Sequence, residues 1–215
     1  MVESGGEIRG GTAWFWAVDT VDFECSVQCL EERVRALWSD AEANRTYIDA
    51  LLQGADDVRR RRLSAVRLLG ETLHRVGLDP AAESLCRGEH GKPALAGRCD
   101  VDVSLSHSDG YAACGVLVGK GQIGVDVEEY GRLTEERANR MRERYFDNVQ
   151  GEKNLPVTQD FVRMWTLREA VCKLDGLGNP LRVDITAIPD DVWRYTCRID
   201  GGFVTVAVNV NEPQK

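Results

Sequence analysis

Three features of the 215-residue chain predict an α+β fold. One aromatic-rich apolar run, Ala13–Val18, is followed by stretches with helical apolar spacing as far as about residue 99. From Asp100 the apolar period changes to two, and strand patterns then flank two further helical stretches. The order strand, helices, strands, helices, strands lacks the regular alternation of βαβ winding. No Pro/Gly/Ser-rich linker interrupts it, so two closely packed halves are expected, 1–99 and 100–215.

Each element follows from its local pattern. Ala13–Val18 (Ala-Trp-Phe-Trp-Ala-Val) reads as a strand, and Val27–Trp38 and Glu42–Leu52 read as helices. Asp56–Val76 is a long helix, with Asp56 and Asp57 at its positive end and Gly77 just past its other end. Val101, Val103 and Leu105 alternate with polar residues, and Tyr111–Val118 and Gln122–Glu128 continue as strands. Thr134–Phe146 is helical, with Thr134 as its N-cap before Glu135 and Glu136. A loop over 151–156 leads to a helix over Thr158–Leu174, which Gly176 and Gly178 end. Val183–Ile188, Trp193–Ile199 and Phe203–Val208 close the chain as strands.

Composition excludes several functions. Lys and Arg number 27 against 35 Asp and Glu, a net charge of −8. Binding to a nucleic-acid backbone needs the opposite surplus, so no nucleic-acid partner is expected. No run approaches the roughly 20 apolar residues of a membrane span. Residues 1–10 hold two Glu and one Arg and no apolar core of a secretory signal. The seven cysteines show neither a C-x-x-C pair nor zinc spacing, which suits reduced thiols in the cytoplasm.

Five groups of residues can carry chemistry. In Ile123-Gly124-Val125-Asp126-Val127-Glu128, strand alternation puts Asp126 and Glu128 about 7 Å apart on one face beside a bare glycine. Two hard oxygen ligands suit Mg²⁺, although a polar strand face shows the same pattern. Glu169 and Lys173 are one turn apart on a helix, in line with Trp165 and Val162, so they extend an apolar stripe. Such a half-buried pair can supply a metal ligand or base and a phosphate-binding cation. Ser106 and His107, in Ser-Leu-Ser-His-Ser, offer hydroxyl and imidazole groups to an anion at a strand end. Gly91-Lys92-Pro93 is a rigid turn presenting an ammonium, and is no P-loop. Arg59-Arg60-Arg61-Arg62, with Arg67, forms a positive spot of which one or two members can face one pocket.

The order of these groups resembles a known family. "GKPAL", "VSLSHSDGYAAC", "IGVDVEE" and "MWTLREAVCKLDGLG" are similar to successive motifs of the 4′-phosphopantetheinyl transferases, of the larger pseudodimeric type that activates surfactin synthetase. The resemblance runs over roughly residues 59 to 188. It implies two α/β half-domains related by a pseudo-twofold axis, a coenzyme A side in 1–99 and a metal and catalytic side in 100–215. It implies Asp126, Glu128 and Glu169 as Mg²⁺ ligands, with Glu169 also a base, and Lys173 as the pyrophosphate contact. Ser106, His107 and Lys92 are implied as coenzyme A contacts. So is Arg62, with Arg59 or Arg67 as alternatives. Two positions depart from the family pattern: Arg168 stands where Lys is usual, and Val103-Ser104 stands where an aromatic and Asn are usual. The implied activity is Mg²⁺-dependent transfer of the phosphopantetheine arm of coenzyme A to a serine of an acyl or peptidyl carrier protein, in nonribosomal peptide, polyketide or fatty acid biosynthesis. A cytoplasmic monomer is expected. The rival readings are an Mg²⁺-dependent phosphodiesterase and a non-catalytic coenzyme A-binding module. Coenzyme A is itself anionic, so an acidic chain must gather its cations at Arg59–Arg62, Lys92 and Lys173 and dock the carrier largely through apolar contacts.

Overall fold

A computed structural model describes residues 1–8, 12–152, 154–176 and 178–210. Lys153 in the 151–156 loop and Leu177 in the last motif lie outside the described residues, as do Arg9 and Gly10. The strands are β1 (Val2–Ile8), β2 (Thr12–Thr20), β3 (Leu85–Arg87), β4 (Pro93–Leu95), β5 (Val101–His107), β6 (Tyr111–Val118), β7 (Gln122–Glu129), β8 (Val192–Ile199) and β9 (Gly202–Asn209). The helices are α1 (Val27–Leu37), α2 (Glu42–Leu51), α3 (Asp56–Arg75), α4 (Glu135–Tyr145) and α5 (Val157–Asp175). Mixed helix and sheet without βαβ order is the α+β class that the pattern predicts. No helix among the described residues is long and apolar enough to cross a membrane.

The strands form one antiparallel sheet in the order β1-β2-β6-β5, a second in the order β7-β9-β8, and a hairpin of β3 and β4. Strand alternation explains how they stack. Ala17 of β2 and Cys114 and Val116 of β6 face α1, α2 and α3, where Leu30, Ile48, Leu63, Leu69 and Leu73 are buried. Trp16 and Val18 of β2, with Ala113 and Leu117 of β6, face the other way onto Ile123, Val125 and Val127 of β7 and Val204, Val206 and Val208 of β9. Helices α4 and α5 cover the far side of the second sheet through Ala138 of α4, Phe146 just past its end, and Phe161, Ala170 and Leu174 of α5. The result is four layers: helices, sheet, sheet, helices.

Most boundaries fall within a residue or two of the pattern. Thr134 caps α4 by accepting from Arg137 N at 3.3 Å, and Gly176 ends α5 in a left-handed turn at φ 63°. One expected strand is absent. Over Val183–Ile188 the chain turns, because Pro180 starts a single 3-10 turn and Asp184 accepts from Thr186 N at 2.9 Å and Thr186 Oγ1 at 2.7 Å. That local bonding takes the groups a strand would offer to a partner. Three strands had no pattern to announce them. β1 lacks apolar alternation and forms through backbone pairing with β2, its Gly5 and Gly6 lying under Phe15 and Trp14 of that strand. β3 and β4 are three residues each.

Sheet membership changes at residues 119–121, where Gly119 and Gly121 adopt φ of 120° and 137°. β5 and β6 thus belong to the same sheet as β1 and β2, and the first sheet runs on past residue 99.

Candidate functional site

The site is built where α5 crosses β7. A Cβ on Gly124 would lie 1.9 Å from the carbonyl oxygen of Ala170, so only glycine lets the helix backbone seat there. The hydroxyl of Thr166 meets that of Thr205 on β9 at 2.9 Å, which fixes the helix along its axis. Glu169 and Lys173 flank Ala170 by −1 and +3, and are thereby brought to the face of β7 that carries Gly124, Asp126 and Glu128. The expected face-sharing of these three residues, and the apolar packing of Ile123, Val125 and Val127 behind them, are both observed.

Asp126 is the centre of this arrangement, with 2% of its surface exposed. Its Oδ1 accepts from Lys173 Nζ at 2.6 Å and from Ser106 Oγ at 2.7 Å. Lys173 also donates to Ser106 Oγ at 3.0 Å. The other oxygen, Oδ2, is buried and has no hydrogen-bond partner. Glu128 is pushed up to about 8, by burial first and then by the carboxylates of Asp126 and Glu169. Burial and Asp126 also raise Glu169, against the opposing pull of Lys173 and a hydrogen bond with Trp165. Among the described residues no three such side chains stand close enough to form a ready metal cage, and Lys173 is paired with Asp126. The donor set nonetheless fits a hard divalent cation. Three carboxylates repel one another around an orphaned buried oxygen, and an oxygen-seeking ion relieves both costs.

These groups line a cleft of about 360 Å³. Arg62, Arg87, Ser106 and His107 stand on its walls with Asp126, Glu128, Glu169 and Lys173, beside the apolar Tyr47, Leu51, Val66 and Leu105. Burial, then the charge of Arg61, holds the His107 imidazole below its usual range, so it stands neutral at pH 7. Of the arginine run, Arg62 faces the cleft and donates to Gln53 O at 3.0 Å. Arg59 is paired with Asp56, Arg60 with Phe23 O, Arg61 with Asp57 and Asp109, and Arg67 with Asp19 and Glu71. Sequence reasoning missed Arg87, whose guanidinium lies 5.1 Å above the Tyr47 ring. Its signal was only a single arginine five residues before Lys92.

Lys92 is not on the wall of this cleft. Its Nζ donates to Asp102 Oδ2 at 2.6 Å and to Leu174 O at 3.1 Å, and it lines an adjoining cavity of about 230 Å³ that shares Glu169 and Lys173. Asp102 begins a side-chain ladder between the two sheets. Asp102 Oδ2, Ser104 Oγ and Ser106 Oγ, on alternate residues of β5, accept from Ile123, Val125 and Val127 N at 2.7, 3.0 and 3.4 Å. The two departures from the family pattern then have local reasons. Ser104 is a rung of the ladder, and Val103 is buried in the first core. Arg168 points away from the carboxylates, 4.3 Å over the Phe146 ring, and donates to Tyr145 O at 2.8 Å. A planar guanidinium suits that stacking better than an ammonium does.

Residues 122–210 match the family model of the 4′-phosphopantetheinyl transferase superfamily, a span that holds Asp126, Glu128, Glu169 and Lys173. A search of curated proteins returns no match.

Proposed function

We propose that this chain, whose residues 122–210 match the family model of the 4′-phosphopantetheinyl transferase superfamily, moves the arm of coenzyme A onto a serine of an acyl or peptidyl carrier protein. The observation that carries this reading is one cleft holding the buried, half-satisfied Asp126, the carboxylates Glu128 and Glu169, and the cations Arg62, Arg87 and Lys173. Carboxylates alone repel a pyrophosphate. Beside cations, and with a divalent ion bound, they would hold one.

In this reading Arg62 and Arg87 take the outlying phosphate of the nucleotide through charge-assisted hydrogen bonds. His107, neutral, serves as a hydrogen-bond donor at the same wall and adds no charge. Lys92 anchors the β3–β4 hairpin, which carries Arg87, against β5 and α5. Ser106 holds Asp126 and Lys173 in register, and its hydroxyl lies at the edge of the nucleotide. Mg²⁺ held by Asp126, Glu128 and Glu169 would supply neutralising charge for the pyrophosphate. Lys173 orients the pyrophosphate and offsets the charge that builds on its leaving oxygen. The carrier serine oxygen attacks the phosphorus that bears the arm, its proton passes to Glu169, and the bond to the nucleotide phosphate breaks. The products are the arm-bearing carrier and adenosine 3′,5′-bisphosphate. Burial raises the proton affinity of Glu169 toward what a base at neutral pH requires.

The two-sheet arrangement, each sheet with one long helix across its outer face, supports the pseudodimeric type. Monomeric state and a cytoplasmic location belong to the same proposal. The test is to incubate the protein with coenzyme A, Mg²⁺ and a panel of apo carriers and to follow adenosine 3′,5′-bisphosphate. Release that requires the carrier supports the transferase. Release without any carrier supports the phosphodiesterase reading, and coenzyme A binding with no release supports the binding module.

A further inference from the structure

The strand β7 carries a third carboxylate, Glu129, that the mechanism above does not use. It lies on the opposite face from Asp126 and Glu128, and it reaches across to the turn between β5 and β6. Its Oε2 accepts from Ser108 Oγ at 2.8 Å and from Gly110 N at 2.6 Å. Ser108 is buried, with 7% exposure. The carboxylate sits so close over Gly110 that a Cβ there would lie 3.1 Å from Glu129 Oε1. The same turn has further partners, among them Arg132, whose Nη1 lies 3.0 Å from Asp109 Oδ2. Gly110 O accepts from Val21 N at 2.8 Å, and Asp109 Oδ1 accepts from Arg61 Nη1 at 3.0 Å.

The turn matters because of what precedes it. Ser106 and His107 end β5 and line the cleft, and the chain reverses at once through Ser108, Asp109 and Gly110. A strand end is free to fray unless its turn is fixed. Here a carboxylate from the second sheet fixes it, with two charge-assisted bonds on one oxygen. We propose that Glu129 is a positioning residue, which clamps the Ser108–Gly110 turn and thereby sets His107 at the cleft wall where the nucleotide phosphates lie. The inference rests on the transferase reading for what His107 meets, and on geometry alone for the clamp.

The chain has three histidines, His74, His90 and His107, so imidazole NMR signals can be followed singly. In Glu129→Ala the His107 signal should move while those of His74 and His90 stay, and affinity for adenosine 3′,5′-bisphosphate should fall about tenfold. Glu129→Gln keeps an acceptor oxygen for Gly110 N and should recover most of both. A role in folding alone would lower the melting temperature but leave the His107 signal and the nucleotide affinity of the folded variant unchanged, and that result overturns the proposal. If Glu129→Ala does not fold, Ser108→Ala removes one of the two bonds, and the same unchanged readouts overturn it. A His107 signal that moves in a protein binding no nucleotide, wild type included, upholds the clamp and refutes the transferase reading.

Discussion

One oxygen of Asp126 holds two hydrogen bonds, and the other is buried with none. A buried carboxylate left half satisfied is costly, and a fold keeps one where a ligand completes it. Asp126→Asn keeps shape but removes the charge that draws both Lys173 and a cation. The initial rate of arm transfer is expected to fall about a hundredfold or more, and a rate near wild type would contradict the assignment. Glu128 gives a second prediction, through pH. Its carboxyl, ordinarily at 4.5, stands at about 8 in the folded protein, so the folded state holds a proton that the unfolded chain has lost. Stability therefore falls as pH rises from 4.5 to about 8 and levels off above. Melting in a chelating buffer should show that decline, Glu128→Gln should make it shallower, leaving the share of Glu169, and added Mg²⁺ should stabilise more at pH 8 than at pH 5. A chelated wild-type protein whose melting temperature does not fall over that range would contradict the reading.

The contact of α5 with β7 decides whether these residues meet. Gly124 first suggested a bare strand face beside a metal. The structure gives it a different role, which is to admit the backbone of Ala170. Gly124→Ala must push the helix outward, since a main-chain carbonyl cannot swing aside as a side chain does. A loss of about 3 kcal/mol is expected in denaturant unfolding. The residual folded protein should show transfer reduced more than stability alone explains, because Glu169 and Lys173 move with the helix. Unchanged stability would mean that the close approach is not present. At this scale the sequence was informative wherever long-period patterns repeat. The five helices were legible because burial of one face imposes a period, and β6 and β7, buried on both faces, because they are short apolar runs bounded by glycines. β3 and β4 are too short for a period to show, β1 is held by backbone pairing, and Val183–Ile188 has apolar alternation that Asp184 and Thr186 divert into a turn.

Over the whole molecule, net charge explains little and placement explains much. An excess of eight negative charges surrounds a cleft in which Arg62, Arg87 and Lys173 are gathered. The carboxylate motif and its helix partners were readable from spacing, because a D-x-E strand and an i, i+4 pair each fix a direction. The cations were harder to read. Four arginines in a row give no sign of which one turns inward, and partners distant in sequence, the Phe23 carbonyl for Arg60 and Asp109 for Arg61, make that selection. Arg87 and the β5 ladder depend on contacts between elements and have no local pattern. The ladder of Asp102, Ser104 and Ser106 joins the two sheets at the point where the site lies, so the position of Asp126 is a property of both sheets together. The measurement that tests the central claim most directly is the intact mass of an apo carrier protein after incubation with this chain, coenzyme A and Mg²⁺. The account predicts a gain of one phosphopantetheine arm on the carrier serine, lost when Asp126 is changed to Asn; a carrier panel that gains no mass with folded wild-type protein would contradict it.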